Sequence, residues 1–256
     1  MPKIHKDHKF FDFSDYGRMP AIFMATVIKN TNITPIHVTI GFGIIGVLSA
    51  YAIYLETFAI AAVGLILKSI VDAMDGELAR IKMTPSYSGR YLDSIFDSLL
   101  NLLFIFVIAI VTNQAFSIAV LSYVCIQFQG TLYNYYYVIL RHNSVGGDTT
   151  SQIFEMEPPK AFPIESQKSV NILFKTFKIL YLPFDSLMYA LDSKASKSKR
   201  FPNWFMTMIS LYGLGFQLML MAILLVLGMI NLILPFFIYY TALTIPFLLL
   251  RKLALK

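Results

Sequence analysis

The sequence predicts an all-α integral membrane protein with six transmembrane helices, both termini in the cytoplasm and interfacial amphipathic helices. Of its 256 residues, 57% are hydrophobic and 14% are charged, and the mean hydropathy is +0.64. This composition is too apolar for a soluble domain. A bilayer core about 30 Å thick is crossed by roughly 20 apolar residues in a helix. The segments that meet or approach this length are 35–55, 57–75, 93–112, 115–140, 203–228 and 230–250.

Short turns separate these segments into three pairs, which predicts three helical hairpins. The turns lie around Glu56, Asn113–Gln114 and Gly228–Asn231, and none of them carries a lysine or an arginine. The basic residues lie on the other side of the predicted spans, apart from Lys68, which falls within the second span. Segments 1–33, 76–92, 141–202 and 251–256 carry five, three, nine and three of them. Because basic segments stay in the cytoplasm, both termini are predicted to be cytoplasmic.

We divide the chain into a cytoplasmic N-terminal interfacial segment, 1–33, and a six-helix domain, 34–256, with a cytoplasmic insertion at 141–202. Residues 10–30 mix aromatic and charged side chains. Residues 168–182 place lysines on one helical face and apolar side chains on the other, a pattern typical of a helix at a membrane surface or of one that docks on the protein itself. The net charge of +6 reflects this topology and attraction to anionic lipid, and no nucleic-acid-binding motif is present.

Four aspartates lie at the inner ends of the second and third spans. Residues three or four apart share a helix face, so Asp72 and Asp75 point together, and so do Asp93 and Asp97. An ionisable group within a span costs about 2.5–3.5 kcal/mol. Pairing with Lys68 would explain one such acid, but four acids on neighbouring helices favour divalent cations. Carboxylates suit Mg²⁺ or Mn²⁺, and a pair of ions suits chemistry at phosphorus.

Small and basic residues extend the aspartates into a longer motif. It reads Asp72-x-x-Asp75-Gly76-x-x-Ala79-Arg80, then eight residues, then Gly89-x-x-x-Asp93-x-x-x-Asp97. Its eight fixed positions over 26 residues make it far more specific than a lone glycine pattern. This motif resembles the complete signature of the CDP-alcohol phosphotransferase (phosphatidyltransferase) family, and the topology predicted above is the topology of that family.

The resemblance implies a phospholipid-synthesising enzyme, in which an alcohol hydroxyl attacks the β-phosphoryl group of a CDP-alcohol, CDP-diacylglycerol in particular, and CMP is released. It also implies a homodimer of a multi-pass membrane protein, expected in the cell inner membrane, with the active site on the cytoplasmic side. By position, all four aspartates would be ligands of two divalent ions, and Asp97 would also be the general base. The residues that would contact the CDP-alcohol are Gly76, Ala79, Arg80, Ser86, Gly89, Ile36 and Thr39. Ile36 stands where the family has an asparagine.

The acceptor alcohol stays open, and a soluble CDP-alcohol of the choline or ethanolamine type donated to diacylglycerol is the alternative reaction. The candidates for binding an acceptor phosphate are Arg90, Arg141 and Lys160. Tyr133, Tyr136 and Tyr137 are candidates for an aromatic box around a cationic headgroup. Ordinary cytoplasmic basic residues and an interfacial aromatic belt explain the same residues.

A divalent-cation transporter is a more distant alternative, since it would also place carboxylates within spans. A transport path needs acids near the middle of the membrane and on its outer side. All four aspartates instead cluster toward the cytoplasm, beside Gly76 and Arg80, as nucleotide binding requires.

Overall fold

The computed structural model describes residues 9–144, 150, 155–198 and 200–254. Within these residues the chain forms α-helices, short 3₁₀ helices and turns without any β-strand, which confirms the all-α prediction. The α-helices are α1 (Arg18–Ile28), α2 (Pro35–Tyr54), α3 (Phe58–Lys82), α4 (Tyr87–Val111), α5 (Phe116–Ser144), α6 (Gln167–Leu191), α7 (Asn203–Ile209), α8 (Leu214–Val226), α9 (Ile233–Tyr240) and α10 (Thr244–Ala254).

The aspartates lie on two helices, α3 and α4, and α2 packs against both of them. α2 begins after Thr34, whose hydroxyl accepts a hydrogen bond from the amide of His37, while Nδ1 of His37 accepts one from the amide of Thr34. Pro35 follows at the first helical position. This reciprocal cap fixes the start of the helix. α4 begins after Ser86, whose Oγ accepts a hydrogen bond from the amide of Gly89.

All three predicted turns occur at the predicted places. Each contains one residue in the left-handed region, Glu56 with φ 56°, Asn113 with φ 52° and Gly228 with φ 70°. The turn at Glu56 makes α2 and α3 neighbours in close contact. A Cβ on Gly64 would lie only 2.2 Å from Oγ of Ser49. Small residues therefore set the spacing of this pair, as is common between membrane helices.

Among the described residues, four helices are long and apolar enough to cross a membrane, as expected of a multi-pass membrane protein. They are Pro35–Tyr54, Tyr87–Val111, Phe116–Asn143 and Ile230–Leu253. α3, which contains the predicted span 57–75, is as long as α4 but carries Lys68, Asp72 and Asp75, and it is not among the four. Its charged face is turned toward the protein, because the side chain of Lys68 is buried.

The predicted span 203–228 is not one straight helix. Asn203–Tyr212 and Leu214–Val226 meet at Gly213 with a bend of 51°, and the pair adds a fifth candidate span if both parts count as one. Six spans and cytoplasmic termini therefore stay a prediction.

The N-terminal segment packs against the helical bundle. α1 contacts α3 and buries Ala21 and Ala25 completely. Before α1, the chain passes so close to α8 that a Cβ on Gly215 would lie 2.0 Å from the carbonyl oxygen of Ser14. Only glycine permits that approach. The first eight residues of the predicted interfacial segment 1–33 lie outside the described residues.

α6 docks on α4 and α5, which is one of the two arrangements expected for 168–182. The ring of Phe174 is buried against Tyr91, with ring centroids 5.6 Å apart. Near the other end of the contact, the hydroxyl of Tyr181 donates a hydrogen bond of 2.7 Å to a backbone carbonyl of α4. Whether α6 also touches a membrane stays a prediction. Parts of the insertion 141–202 lie outside the described residues.

Candidate active site

The four aspartates meet between α3 and α4. Carboxylate oxygens of Asp72, Asp75 and Asp93 lie within 4.8 Å of one another, close enough to hold one metal ion together. We call these three residues the carboxylate trio. Asp97, one turn further along α4, is not part of that group, and its carboxylate contacts Nζ of Lys68. The helix periodicity therefore brings all four acids to one place. Three of them form a possible metal site, and Asp97 lies next to it.

The carboxylate trio fits a hard divalent cation. The hydroxyl of Thr39 on α2 donates a hydrogen bond of 2.6 Å to Oδ2 of Asp75, which fixes that carboxylate. Oδ1 of Asp93 is buried and has no hydrogen-bond partner among the described residues. A buried oxygen without a partner costs free energy. Carboxylate oxygens are the ligands that Mg²⁺ and Mn²⁺ prefer, and binding such an ion would satisfy it.

Lys68 is a buried cation inside the acidic cluster. Its side chain is 1% exposed, and Nζ lies 2.9 Å from Oδ2 of Asp72, one turn away on the same helix. Nζ also contacts Asp97 on α4, so the lysine links the two helices. On another side it lies 4.6 Å from the centre of the Phe42 ring. The sequence predicts Lys68 only as an alternative partner for a single acid, whereas in the structure it contacts two.

On the C-terminal side of the trio, α3 carries the predicted CDP contacts Gly76, Ala79 and Arg80. The guanidinium of Arg80 lies 2.7 Å from the carboxylate of Glu77. It also lies 3.5 Å from the position that a Cβ on Gly76 would take. Glu77 is buried and binds Arg18 on α1 at 3.1 Å as well. Arg80 is therefore held beside the glycine by an acid at a variable position of the signature.

The other predicted CDP contacts lie where α2 and α4 begin. A Cβ on Gly89 would lie 3.1 Å from Oγ of Ser86 and 3.9 Å from the side chain of Ile36. These three residues are therefore neighbours. Thr39, one turn further along α2 from Ile36, reaches the trio through Asp75.

An acid from the loop before α6 caps the start of α4. Glu165 accepts hydrogen bonds from the hydroxyl of Ser86 at 2.8 Å and from the amides of Ser88 and Tyr87 at 2.7 and 3.1 Å. Burial raises the pKa of this carboxyl, but the hydrogen bonds outweigh burial, so its pKa lies below the ordinary value. Sequence reasoning missed Glu165, because a single acid in a loop carries no periodic signal.

A cavity of about 360 Å³ opens beside the aspartates, and residues of α5, α6 and α8 line it. Three of the aspartates also line it, namely Asp72, Asp93 and Asp97. The side chains of Asn101, Gln127 and Gln217 contribute amide groups to its lining. Gln127 donates a hydrogen bond of 2.9 Å to Oγ of Ser98. Polar side chains gathered inside an apolar helical bundle mark a site for a hydrogen-bonding ligand.

Four of the candidate acceptor contacts line this cavity, and they are Arg90, Arg141, Tyr133 and Tyr137. Arg90, however, forms a bidentate ion pair with Glu155, with both nitrogen–oxygen distances 2.5 Å. Tyr133 donates a hydrogen bond of 2.5 Å to Asp12 in the N-terminal segment. Both side chains therefore have partners from distant parts of the chain.

Tyr136 does not line this cavity, so the structure brings Tyr133 and Tyr137 to it without the third tyrosine considered for an aromatic box. The hydroxyl of Tyr136 donates a hydrogen bond of 2.8 Å to Asp192, and its ring packs against Phe201. Successive residues of an α-helix are rotated by about 100°. Tyr136 is consequently turned to a different side of α5 from Tyr137.

Several cavity residues were not found from the sequence. Ser14 and Asp15 come from the N-terminal segment, and Tyr181 and Asp185 come from α6. Burial, and after it the charge of Glu155, raise the pKa of Asp185 to about 7. An acid inside the apolar stretch that precedes and follows Asp185 is the signal that could have pointed to it.

Comparison with known proteins places these residues within a family match. Residues 32–165 match the family model described as CDP-alcohol phosphatidyltransferase, and the match includes the whole signature. A similar curated protein is the "Bifunctional IPC transferase and DIPP synthase" of Archaeoglobus fulgidus (strain ATCC 49558 / DSM 4304 / JCM 9628 / NBRC 100126 / VC-16). The two are 32% identical over 100 residues, which cover 38% of this chain and 19% of that protein. The chain thus matches about a fifth of the length of that relative.

Proposed function

Since this chain belongs to the CDP-alcohol phosphatidyltransferase family, we propose that it transfers the phosphatidyl group of CDP-diacylglycerol to a soluble alcohol and releases CMP. The observation that carries this proposal is the position of Asp97. Its carboxylate lies beside the carboxylate trio and also lines the polar cavity. A metal-binding group and a proton acceptor therefore stand next to a space for the alcohol.

We propose that Asp72, Asp75 and Asp93 hold the divalent ions, Mg²⁺ or Mn²⁺, of which the family resemblance implies two. Bound ions of this kind neutralise a diphosphate and stabilise charge on phosphoryl oxygens. The resemblance also implies Asp97 as a fourth ligand. We propose Asp97 both as that ligand and as the general base, because it follows Asp93 by one helical turn and lines the cavity beside Asp72 and Asp93.

In the proposed reaction, Asp97 accepts the hydroxyl proton while the alcohol oxygen forms a bond to the β-phosphorus. The bond from that phosphorus to the oxygen that bridges to the α-phosphate breaks, and CMP leaves with this oxygen. Arg80, oriented by Glu77, donates hydrogen bonds to the phosphates of the CDP group. The other residues proposed to contact the CDP-alcohol are Gly76, Ala79, Ser86, Gly89 and Ile36.

The cavity favours an acceptor that is polar and carries no phosphate. Diacylglycerol needs apolar walls for two acyl chains, whereas the amide of Asn101 and the carboxylates of Asp15 and Asp185 line this cavity. A phosphate would meet Asp15 and Asp185. Two arginines also line the cavity, but Arg90 is already paired with an acid, so a phosphate would have only Arg141 to set against these two acids. We therefore propose a polyol or an amino alcohol.

We further propose that α3 is the sixth span, that both termini and the active site face the cytoplasm, and that the chain forms a homodimer, as the resemblance implies. The acidic end of α3 supports this topology. Its charged side chains lie against the other helices, with Lys68 almost fully buried, so α3 can cross a membrane without exposing them to lipid.

The proposal is tested with purified protein in lipid nanodiscs. CDP-diacylglycerol is offered with serine, inositol, glycerol phosphate or inositol phosphate, and diacylglycerol is offered with CDP-choline or CDP-ethanolamine. CMP and the lipid product are measured. We expect CMP release from CDP-diacylglycerol with serine or inositol, its loss in excess chelator, and its recovery with Mg²⁺ or Mn²⁺.

Asp93→Asn, which removes one oxygen ligand of the trio, should abolish CMP release. Glu157→Gln is the matched control, because Glu157 is an exposed acid outside the cavity lining. Full activity in excess chelator would overturn the metal assignment. Release that requires diacylglycerol and a soluble CDP-alcohol would establish the alternative reaction. Metal uptake into vesicles without any CMP release would favour a transporter.

A further inference from the structure

Helix α6 presents one row of side chains to the acceptor cavity. Phe177, Tyr181 and Asp185 follow one another at intervals of four residues, and all three line the cavity. Residues four apart share a face of an α-helix. The hydroxyl of Tyr181 donates a hydrogen bond of 2.7 Å to the carbonyl of Ser94 on α4, next to Asp93. This contact fixes α6 beside the proposed metal site and places Asp185 one turn further along the cavity wall.

Asp185 differs from the other acids of this cavity in its partners. Three acids line the cavity outside the signature. Asp15 forms an ion pair with Arg18 at 3.3 Å, and Glu155 forms one with Arg90. Asp185 forms neither an ion pair nor a hydrogen bond with the residues that the structure describes. A partly buried charge without a counterion costs free energy, and a cation bound in the cavity would supply the missing partner.

The surroundings of Asp185 also favour a positive charge. Burial, and after it the negative charge of Glu155, raise the pKa of Asp185 to about 7. A cation beside the carboxylate would offset both effects. The rings of Phe177 and Tyr181 stack with their centroids 4.8 Å apart on the same wall, and aromatic faces attract organic cations. This combination of a carboxylate and aromatic rings suits an organic ammonium group better than a neutral hydroxyl.

We propose that Asp185 is a specificity-determining residue, which binds the ammonium group of the acceptor and selects an amino alcohol over a polyol. This inference rests on the proposed function, since it concerns the acceptor of the same reaction. Asp97, the proposed general base, lines the same cavity, so the hydroxyl of a bound amino alcohol has a proton acceptor there. α6 begins at Gln167, after the family match ends at residue 165. A helix outside the matched region therefore supplies the contact that distinguishes between acceptors.

Pairs of acceptors that differ only in the ammonium group test the proposal. Ethanolamine is compared with ethylene glycol, and L-serine with L-glycerate, each with CDP-diacylglycerol and the protein in nanodiscs. In the wild type, kcat/KM for the amine of each pair should exceed that for the hydroxyl compound by about 10- to 100-fold. Asp185→Asn keeps the shape and one accepting oxygen but removes the charge. Most of the preference should then disappear, mainly because KM for the amine rises.

Two further variants separate the charge of Asp185 from its position. Asp185→Glu keeps the charge and should retain part of the preference. Glu157→Gln is the matched control, because it removes a negative charge from an exposed residue of the same insertion, outside the cavity lining. Its preference should equal that of the wild type. If Asp185→Asn lowered the use of both members of each pair equally, its role would be structural and the proposal would fail. A wild type that used inositol or glycerol better than either amine would also overturn it.

The failure of this inference can be told apart from failure of the proposed function. If the wild type releases no CMP from any donor, the reaction assignment is wrong. Binding of ethanolamine and ethylene glycol, followed by saturation-transfer nuclear magnetic resonance, still tests Asp185 because it requires no turnover. Equal binding of ethanolamine to the wild type and to Asp185→Asn would overturn the inference. CMP release found only with diacylglycerol and CDP-ethanolamine, and lost in Asp185→Asn, would place the ammonium group on the donor and overturn it as well.

Discussion

Replacing Thr39 by valine tests how the carboxylate trio is held for a metal. The hydroxyl of Thr39 is buried and donates a hydrogen bond of 2.6 Å to Oδ2 of Asp75. Valine keeps the branched shape but cannot donate. A hydrogen bond to a charged group contributes about 1.5–3 kcal/mol, and each 1.4 kcal/mol is about a factor of ten in affinity. We therefore expect the Kd for Mn²⁺ to rise by about 10- to 100-fold.

The measurement is Mn²⁺ binding to protein in nanodiscs, followed by electron paramagnetic resonance without any substrate. Thr39→Ser, which restores a hydroxyl, should recover most of the affinity. Thr26→Val is the matched control. Both threonines contact a backbone carbonyl four residues earlier, but Thr26 lies on the exposed face of α1 and contacts no carboxylate. An unchanged Kd in Thr39→Val, with the protein still folded, would refute the idea that this hydrogen bond prepares Asp75 for a metal.

Three further outcomes are expected. Glu77→Gln weakens the ion pair that orients Arg80. The KM for the CDP-alcohol should therefore rise by about tenfold, with a smaller change in kcat. Values of KM and kcat equal to those of the wild type would show that Glu77 does not act at the CDP-alcohol site. The cap by Glu165 depends on its ionised form, and its pKa is lowered. Its contribution is therefore complete above the ordinary carboxyl pKa and is lost as the pH falls through the lowered value; hydrogen exchange at the start of α4 should show this, and Glu165→Gln should be insensitive to pH. Gly64→Ala places a Cβ 2.2 Å from a serine oxygen of α2 and should lower the thermal midpoint through overpacking of about 1–3 kcal/mol, whereas Gly41→Ala, whose Cβ meets nothing within 4 Å, should not.

The parts of the site that the sequence predicts are those governed by local periodicity. The spacing of Asp72 and Asp75, and of Asp93 and Asp97, specifies which helix face each pair shares. The short connection between α3 and α4 brings the two acid-bearing helix ends together. For the same reason the turns at Glu56 and its two counterparts lie where predicted. These features need no knowledge of distant contacts.

Contacts between distant parts of the chain could not be read in this way. Arg90 is a reasonable phosphate ligand when its own helix is considered alone, but its partner Glu155 lies 65 residues away in the insertion. The role of Thr39 changes similarly. A hydroxyl expected to contact nucleotide binds Asp75, 36 residues further on, because α2 packs across α3. Side-chain partners of this kind depend on tertiary packing, which the pattern of one helix does not contain.

The arginine of the signature shows why a motif alone does not define this site. Arg80 binds Glu77, Glu77 binds Arg18 on α1, and Arg18 binds Asp15 beside the cavity. Neighbouring charges in this series have opposite signs and hold one another in place. The position of Arg80 therefore depends on a segment that precedes the family match at residue 32. Asp15 also lines the proposed acceptor cavity. The N-terminal segment, expected from its composition to lie at a membrane surface, therefore connects the arginine of the signature to the proposed acceptor cavity through a series of four charged residues.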